Sequence, residues 1–234
     1  MRKHLPITAV AFVAIAAAAP ADAATRNFGV SGFDRIRVDG PYKVRLTTGV
    51  PPSAVATGGL GALDSVVIEV QGRTLVVRNN RSSWGGYPGQ AQGPVEIAIG
   101  THELTAAWLN GSGSLAINKA RGLSFDLSVQ GAGSASIGAV DVDHLRVSMS
   151  GTVSTTLAGK APRLTAVVRG VATLDAMGLT AKDATIGAQG PATVRATVTN
   201  AAKVDAFGAA TVDLGGRPAC TVKASGSASV TGCR

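Results

Sequence analysis

The sequence predicts an all-β protein dominated by a parallel β-helix, or β-solenoid, of about seven rungs of about 20 residues each. Three observations carry this. A glycine recurs along the second half of the chain, at Gly111, Gly131, Gly151, Gly170, Gly190, Gly208 and Gly226, with spacings of 20, 20, 19, 20, 18 and 18 residues. The residues around each glycine alternate between apolar and polar with a period of two, the mark of strands with one buried face. The third residue after every glycine is Ser or Thr: Ser114, Ser134, Ser154, Thr173, Thr193, Thr211 and Ser229.

The chain begins with a segment that does not belong to that fold. Arg2 and Lys3 precede an apolar run, Ile7 to Ala19, and Ala21-Asp22-Ala23 supplies small residues at the −3 and −1 positions of a cleavage site. This layout predicts a secretory signal peptide over residues 1–23. The run is short for a membrane span, and no Cys follows it to carry a lipid. Export is therefore expected, to the periplasm or to the cell surface and beyond, and an integral membrane protein is not. Removing Arg2, Lys3 and Asp22 leaves 20 basic against 13 acidic residues, a net charge of +7. Without a long basic run this reads first as solubility, and second as attraction to anionic envelope polymers.

Residues 24–100 predict a smaller β-rich subdomain. Within FDRIRVDGPYKVRLTT (33–48), Ile36, Val38, Gly40, Tyr42, Val44 and Leu46 share one phase, as in a degenerate rung. Residues 49–64 carry Pro51-Pro52, Gly58-Gly59 and Gly61 and read as loop. Val66–Val70 and Thr74–Arg78 read as a hairpin around Gln71-Gly72. A Gly-rich loop fills 79–94, and Val95, Ile97 and Ile99 resume a strand. That loop places Trp84 and Tyr87 beside Arg81, a set able to stack on sugar rings or seat a partner chain. Equally, the aromatics could lie down on the adjacent sheet.

Residues 101–234 are the solenoid repeats. Four residues before the marker glycines stand Ala107, Leu127, Val147, Ala166, Ile186, Val204 and Val222; four after stand Leu115, Ala135, Thr155, Leu174, Val194, Val212 and Val230. These positions share the inward phase with the glycines. Only stacking buries such a face, so the rungs must pile in parallel. The Ser/Thr positions then form one outward ladder, at about 4.8 Å per step. It reads as ordinary solenoid surface before it reads as a polymer-binding array. Trp108 and Phe207 fall in the outward phase. Trp108 either extends the aromatic patch of the loop or caps its packing. Cys220 and Cys233 predict a disulfide that pins the last coil, which no further rung covers.

Chemistry is thin along this chain. Asp141, Asp143 and His144 form the most site-like cluster, yet lie between rungs, where they read as a turn. Asp175 and Asp213 share an outward register with Arg195 between them, which reads as a charge-paired ladder rather than two facing acids. Asp183 and Asp205 add no acid–base pair. No nucleophile elbow, phosphate loop or dinucleotide fingerprint is present. No catalytic residue, metal, cofactor or nucleic-acid partner is therefore expected.

The opening FDRIRVDGPYKVRLTTG, the LVVRNN strand, the segment VEIAIGTHELTAAWLNGSGSL and the Gly-centred rungs together resemble the auto-transporter adhesin "head GIN" domain family of exported bacterial proteins. The resemblance spans about 30–234 and implies a right-handed parallel β-helix and an adhesive role. The first functional expectation is thus a non-enzymatic envelope solenoid for adhesion, scaffolding or binding of polysaccharide. A carbohydrate-active lyase or hydrolase is the second, since β-helices also carry such enzymes. A periplasmic protein-interaction module, using the 81–94 loop or an open edge, is the third.

Overall fold

A computed structural model describes residues 23–80 and 94–234. The expected signal peptide, but for Ala23, lies outside the described residues. The fold is nearly all β. The N-terminal strands are β1 (Ala24–Phe28), β2 (Arg35–Asp39), β3 (Lys43–Thr48) and β4 (Ser53–Gly58), followed by a short helix, α1 (Leu60–Asp64). Then come β5 (Val66–Gln71), β6 (Thr74–Asn79), β7 (Glu96–Thr101) and β8 (Ala106–Gly111). The coils are built by β9 (Ser114–Gly131), β10 (Ser134–Gly151), β11 (Ser154–Lys160), β12 (Arg163–Arg169), β13 (Thr173–Gln189), β14 (Thr193–Gly208), β15 (Thr211–Gly215), β16 (Ala219–Gly226) and β17 (Ser229–Thr231).

Each coil has two strand halves. The half after a marker glycine stacks on its counterparts to form a first face: β3, the start of β9, the start of β10, β11, and onward to β17. The half before the next glycine forms a second face: β2, β8, the end of β9, the end of β10, β12, and onward to β16. All of these pairings are parallel. Seven marker glycines enclose six complete coils, so the solenoid has about six turns.

The inward phase is as the period of two predicts. Leu115, Ile117, Phe125, Leu127 and Val129 of a single coil are all buried. Each contributes about 1.5–3 kcal/mol relative to exposure, but only while the coils above and below cover it. The last coil shows this directly. Val222 occupies the inward phase of β16, yet it is 42% exposed, because no rung follows. The Cys220–Cys233 disulfide forms there, with Cα atoms 5.7 Å apart, and ties the final turn to β16.

The marker glycines stack into one column, Gly111 on Gly131 and so on, which Gly40 continues toward the N-terminus. All have positive φ, from +133° at Gly40 to +78° at Gly226. Here the chain turns the corner while backbone lies against backbone. The Ala132 N–H donates to the Gly111 carbonyl at 2.9 Å, and the Thr152 N–H to that of Gly131 at 2.8 Å. A side chain would intrude on this ladder.

The N-terminal part does not stand apart from the column. β2 lies between β6 and β8, and β3 between β7 and β9, all in parallel. The degenerate rung at 33–48 is therefore a working rung, with Ile36, Val38, Tyr42, Val44 and Leu46 buried. The expected hairpin forms between β5 and β6 and turns at Gly72, with φ +63°.

Two expectations are corrected. Residues 49–64 are not simply loop: β4 pairs antiparallel with β7 and β1, and α1 follows it. Ala54 and Ala56 alternate inward along β4, a pattern of small residues hidden between the prolines and glycines. Leu63 and Ala62 of α1 are buried and cover the N-terminal end of the core. The segment Asp141–His144 is strand, not turn. Asp141 pairs with Arg121, Val142 with Gly122 and His144 with Ser124, so the ladder continues through the corner with only Asp143 skipped.

Candidate binding face

The outward residues of the second face fall into three columns, because parallel stacking sets equivalent positions of each coil one above another. The middle column reads Arg37, Trp108, Ser128, Ser148, Val167, Gly187, Asp205. One flank reads Asp39, Asn110, Gln130, Ser150, Arg169, Gln189. The other carries Asp126, Arg146, Thr165, Thr185 and Lys203. Below Trp108 the middle column is short for four coils, and at each a longer side chain stands on at least one flank: Asp126 and Gln130 beside Ser128, Arg146 beside Ser148, Arg169 beside Val167, Thr185 and Gln189 beside Gly187. The result is a trough along the solenoid axis with an indole at its head.

Trp108 is half-buried and lines two depressions. One, of 650 Å³, is bounded by Arg37, Asp39, Gln71, Thr74, Val76, Trp108, Asn110 and Gln130. The other, of 270 Å³, lies over Ser128, Ser148 and Val167 beside Asp126, Arg146 and Thr165. The polar groups at the head are held in place. The Arg37 Nε donates to Asp39 at 3.0 Å, and Asn110 Nδ2 donates to the same oxygen at 2.7 Å. On the flank, Arg146 reaches Asp126 at 3.4 Å. A flat aromatic face beside fixed donors and acceptors suits a ligand with an apolar face and hydroxyl edges.

Of the residues singled out from sequence, Trp108 is placed outward, as its phase predicts. Arg81, Trp84 and Tyr87 lie outside the described residues. Phe207 is outward and 41% exposed, at the far end of the flank that begins with Asp39. Sequence reasoning missed Arg37, Asp39, Asn110 and Gln130. The signal was present: Arg37 stands three residues before Gly40, as Trp108 stands three before Gly111.

The Ser/Thr ladder forms on the first face in the expected register, from Ser114 through Ser134, Ser154, Thr173, Thr193 and Thr211 to Ser229. A shallow groove of 560 Å³ runs beside its upper rungs. Next to it, Asp175, Arg195 and Asp213 stack in one column, with Arg195 at 3.9 Å from Asp213. Asp175 instead accepts from the Met177 N–H at 3.2 Å. These carboxylates face no second acid. Asp141 lies 3.7 Å from Arg121. Among the described residues, no group of three or more His, Cys, Asp or Glu is placed to share a metal ion, and no helix is long and apolar enough to cross a membrane.

Two groups titrate away from their ordinary range. Hydrogen bonds from Arg78, then from Gln71, hold the exposed Glu69 carboxyl below the usual value. Burial pushes the Tyr42 hydroxyl up. Tyr42 belongs to the core, whereas Glu69 touches the head of the trough through Gln71, which lines the depression beside Trp108.

A family model described as "Putative auto-transporter adhesin, head GIN domain" matches residues 32–218. The chain belongs to this family. No curated protein is similar to this head GIN chain in sequence. Solved structures share its fold. A putative adhesin from Bacteroides fragilis is 17% identical, with TM-score 0.80, over 89% of this chain and 96% of that one. A protein from Parabacteroides distasonis described as a putative lipid binding protein is 20% identical, with TM-score 0.67, over 89% and 96%. A putative adhesin from Parabacteroides merdae is 17% identical, with TM-score 0.62, over 89% and 95%. At these identities the likeness extends to the head GIN fold and no further.

Proposed function

We propose that this head GIN protein is a non-enzymatic, exported β-solenoid of the cell envelope that works by binding, in adhesion or scaffolding, and that the Trp108 face is its contact surface. The family description and the leader-like N-terminus support export and adhesion. The observation that carries the contact surface is the position of Trp108 between two depressions, next to an Arg37–Asp39–Asn110 cluster already locked by hydrogen bonds. Locked side chains lose little freedom on binding, so a ligand gains more of each contact. Catalysis would require acids or nucleophiles converging on such a depression, and the carboxylates that line the two depressions, Asp39 and Asp126, are engaged with Arg37 and Arg146.

The test is a binding assay of the mature chain, from Ala24, on bacterial cells and isolated envelope fractions, with product formation followed in the same wells. Saturable binding without turnover, lost in Trp108→Ala, is expected. Trp84→Ala addresses the loop separately. Cleavage of an envelope polymer would overturn the non-enzymatic reading, and binding unaffected by Trp108→Ala would move the contact off this face.

A further inference from the structure

The trough below Trp108 has a property that folding does not explain. At its floor Gly187 has ordinary extended geometry, and a Cβ placed there would meet no atom within 4 Å. The marker glycines are different: all have positive φ, and at Gly111, Gly131, Gly151, Gly170 and Gly226 a Cβ would also press against backbone. Packing and backbone thus permit a side chain at 187, yet the floor is bare there. Ser128 and Ser148 are short hydroxyls, and Val167 is compact. The flanks provide what the floor lacks. Asn110, Gln130, Ser150, Arg169 and Gln189 offer one hydrogen-bonding side chain per coil.

Coils repeat at about 4.8 Å, close to the advance of one sugar residue in an extended glycan. A linear glycan lying along the axis would therefore meet the hydrogen-bonding side chains of this flank one at each residue, in the same position. An extended peptide crossing the trough would meet them out of step. The charge points further. Arg37 and Arg146 are neutralised by Asp39 and Asp126. Arg169 is exposed and is flanked in its column by Ser150 and Gln189, not by a carboxylate. The mature chain is also expected to carry +7 overall. A guanidinium held at a groove edge without an acid beside it is a ready partner for a carboxylate.

We propose that the trough from Trp108 to Gly187 binds an unbranched acidic polysaccharide, one sugar residue per coil, with Trp108 stacking on a terminal or end-proximal ring and Arg169 pairing with a uronate carboxylate. This rests on the reading of the Trp108 face as the contact surface and specifies its ligand.

The experiment uses the mature protein with intact disulfide, and purified linear polyuronates as probes, with a neutral linear glucan of similar length beside them. Saturable polyuronate binding is expected, weakening as salt rises. Trp108→Ala should weaken it about tenfold or more, and Arg169→Ala by a similar factor. Gly187→Gln should block the floor and abolish binding while leaving the thermal unfolding midpoint nearly unchanged, which separates obstruction from misfolding. Equal affinity for the neutral glucan would overturn the acidic specificity. Binding indifferent to Arg169→Ala and Gly187→Gln would show general attraction of a basic protein and overturn the trough. If envelope fractions bind through Trp108 while every polyuronate fails, the ligand assignment falls and the contact surface stands.

Discussion

The column of marker glycines makes a graded prediction, because its members are crowded to different degrees. At Gly131, φ is +103°, and a Cβ would sit 2.7 Å from the Gly111 carbonyl oxygen and 3.1 Å from its Cα and N. At Gly190, φ is +81°, but the nearest backbone atom would be 3.6 Å away. Alanine at 190 therefore costs the left-handed backbone alone, about 1–2 kcal/mol. Alanine at 131 costs that and also a displacement of the corner above it. The colliding oxygen is backbone and accepts the Ala132 N–H at 2.9 Å, so it cannot swing aside. A total of roughly 3–4 kcal/mol follows for Gly131→Ala, near the upper end for single substitutions. Urea unfolding of the oxidised protein, followed by far-UV circular dichroism, gives the midpoints. The expected order of stability is parent, then Gly190→Ala, then Gly131→Ala, with Gly190→Asn losing less than Gly190→Ala because Asn tolerates left-handed backbone. Equal losses at 131 and 190 would refute the argument from close approach. A neutral Gly190→Ala would refute the argument from φ.

Three further predictions concern the core, the last coil and pH. The Thr155 hydroxyl is buried in the inward phase without a hydrogen-bond partner among the described residues, so Thr155→Val should raise stability by about 1 kcal/mol, read as a higher unfolding midpoint. Replacing Cys220 and Cys233 together with Ala should cost about 3 kcal/mol by the loop-closure argument for a separation of 13 residues; hydrogen exchange should show the loss concentrated in β16 and β17. Tyr42 has its hydroxyl pKa raised by burial, so the folded state holds that proton more tightly than the unfolded chain. Its contribution is complete below the unfolded value near 10 and is lost as pH rises through the higher folded value. Stability should fall above about pH 10, and Tyr42→Phe should flatten that fall; an unchanged profile would dissociate it from Tyr42.

The solenoid was legible because three signals at each rung agree: the glycine spacing, the inward Leu/Val/Ala phase and the outward hydroxyl. What escaped did so for physical reasons. β4 is built from Ala54, Val55, Ala56 and Thr57 between Pro51-Pro52 and Gly58-Gly59, and its inward alanines look like linker until Ile97 and Ile99 are laid across them. Asp141, Asp143 and His144 carry turn chemistry, but the paired residues of the coil below, Arg121, Gly122 and Ser124, are themselves strand, and in parallel stacks the neighbour's backbone decides. The trough escaped for a different reason. Its head joins Arg37 and Asp39 to Trp108 and Asn110, about seventy residues away in sequence, and nothing local marks them as neighbours. Aligning Gly40 with Gly111 brings them together, so the degenerate rung held the key to the site.

The two ends of the column meet the same problem in different ways, and this bears on where binding can occur. An exposed strand edge invites pairing with other chains. At the N-terminal end, α1 buries Leu63 over the core, and β1, β4 and β5 turn the sheet antiparallel. At the C-terminal end, among the described residues, no helix lies over β16. Val222 is left 42% exposed, and protection comes from the Cys220–Cys233 clamp and from Lys223 on the edge strand. A cation on an edge strand disfavours stacking against a like edge. The first face carries the short hydroxyls of the ladder and charges that are partly paired, Lys43 with Glu96 and Arg195 with Asp213, while Asp175 accepts from the Met177 N–H. Among the described residues, the second face combines a half-buried indole, a hydrogen-bonded polar cluster, an Arg169 with no carboxylate in its column and a floor kept bare at Gly187 where packing would admit a side chain. Stacking constrains the inward phase of every coil and leaves the outward phase free to vary, so departures from the ladder's own chemistry are where selection by a ligand would show, and the proposed contact surface is placed on the Trp108 face for that reason.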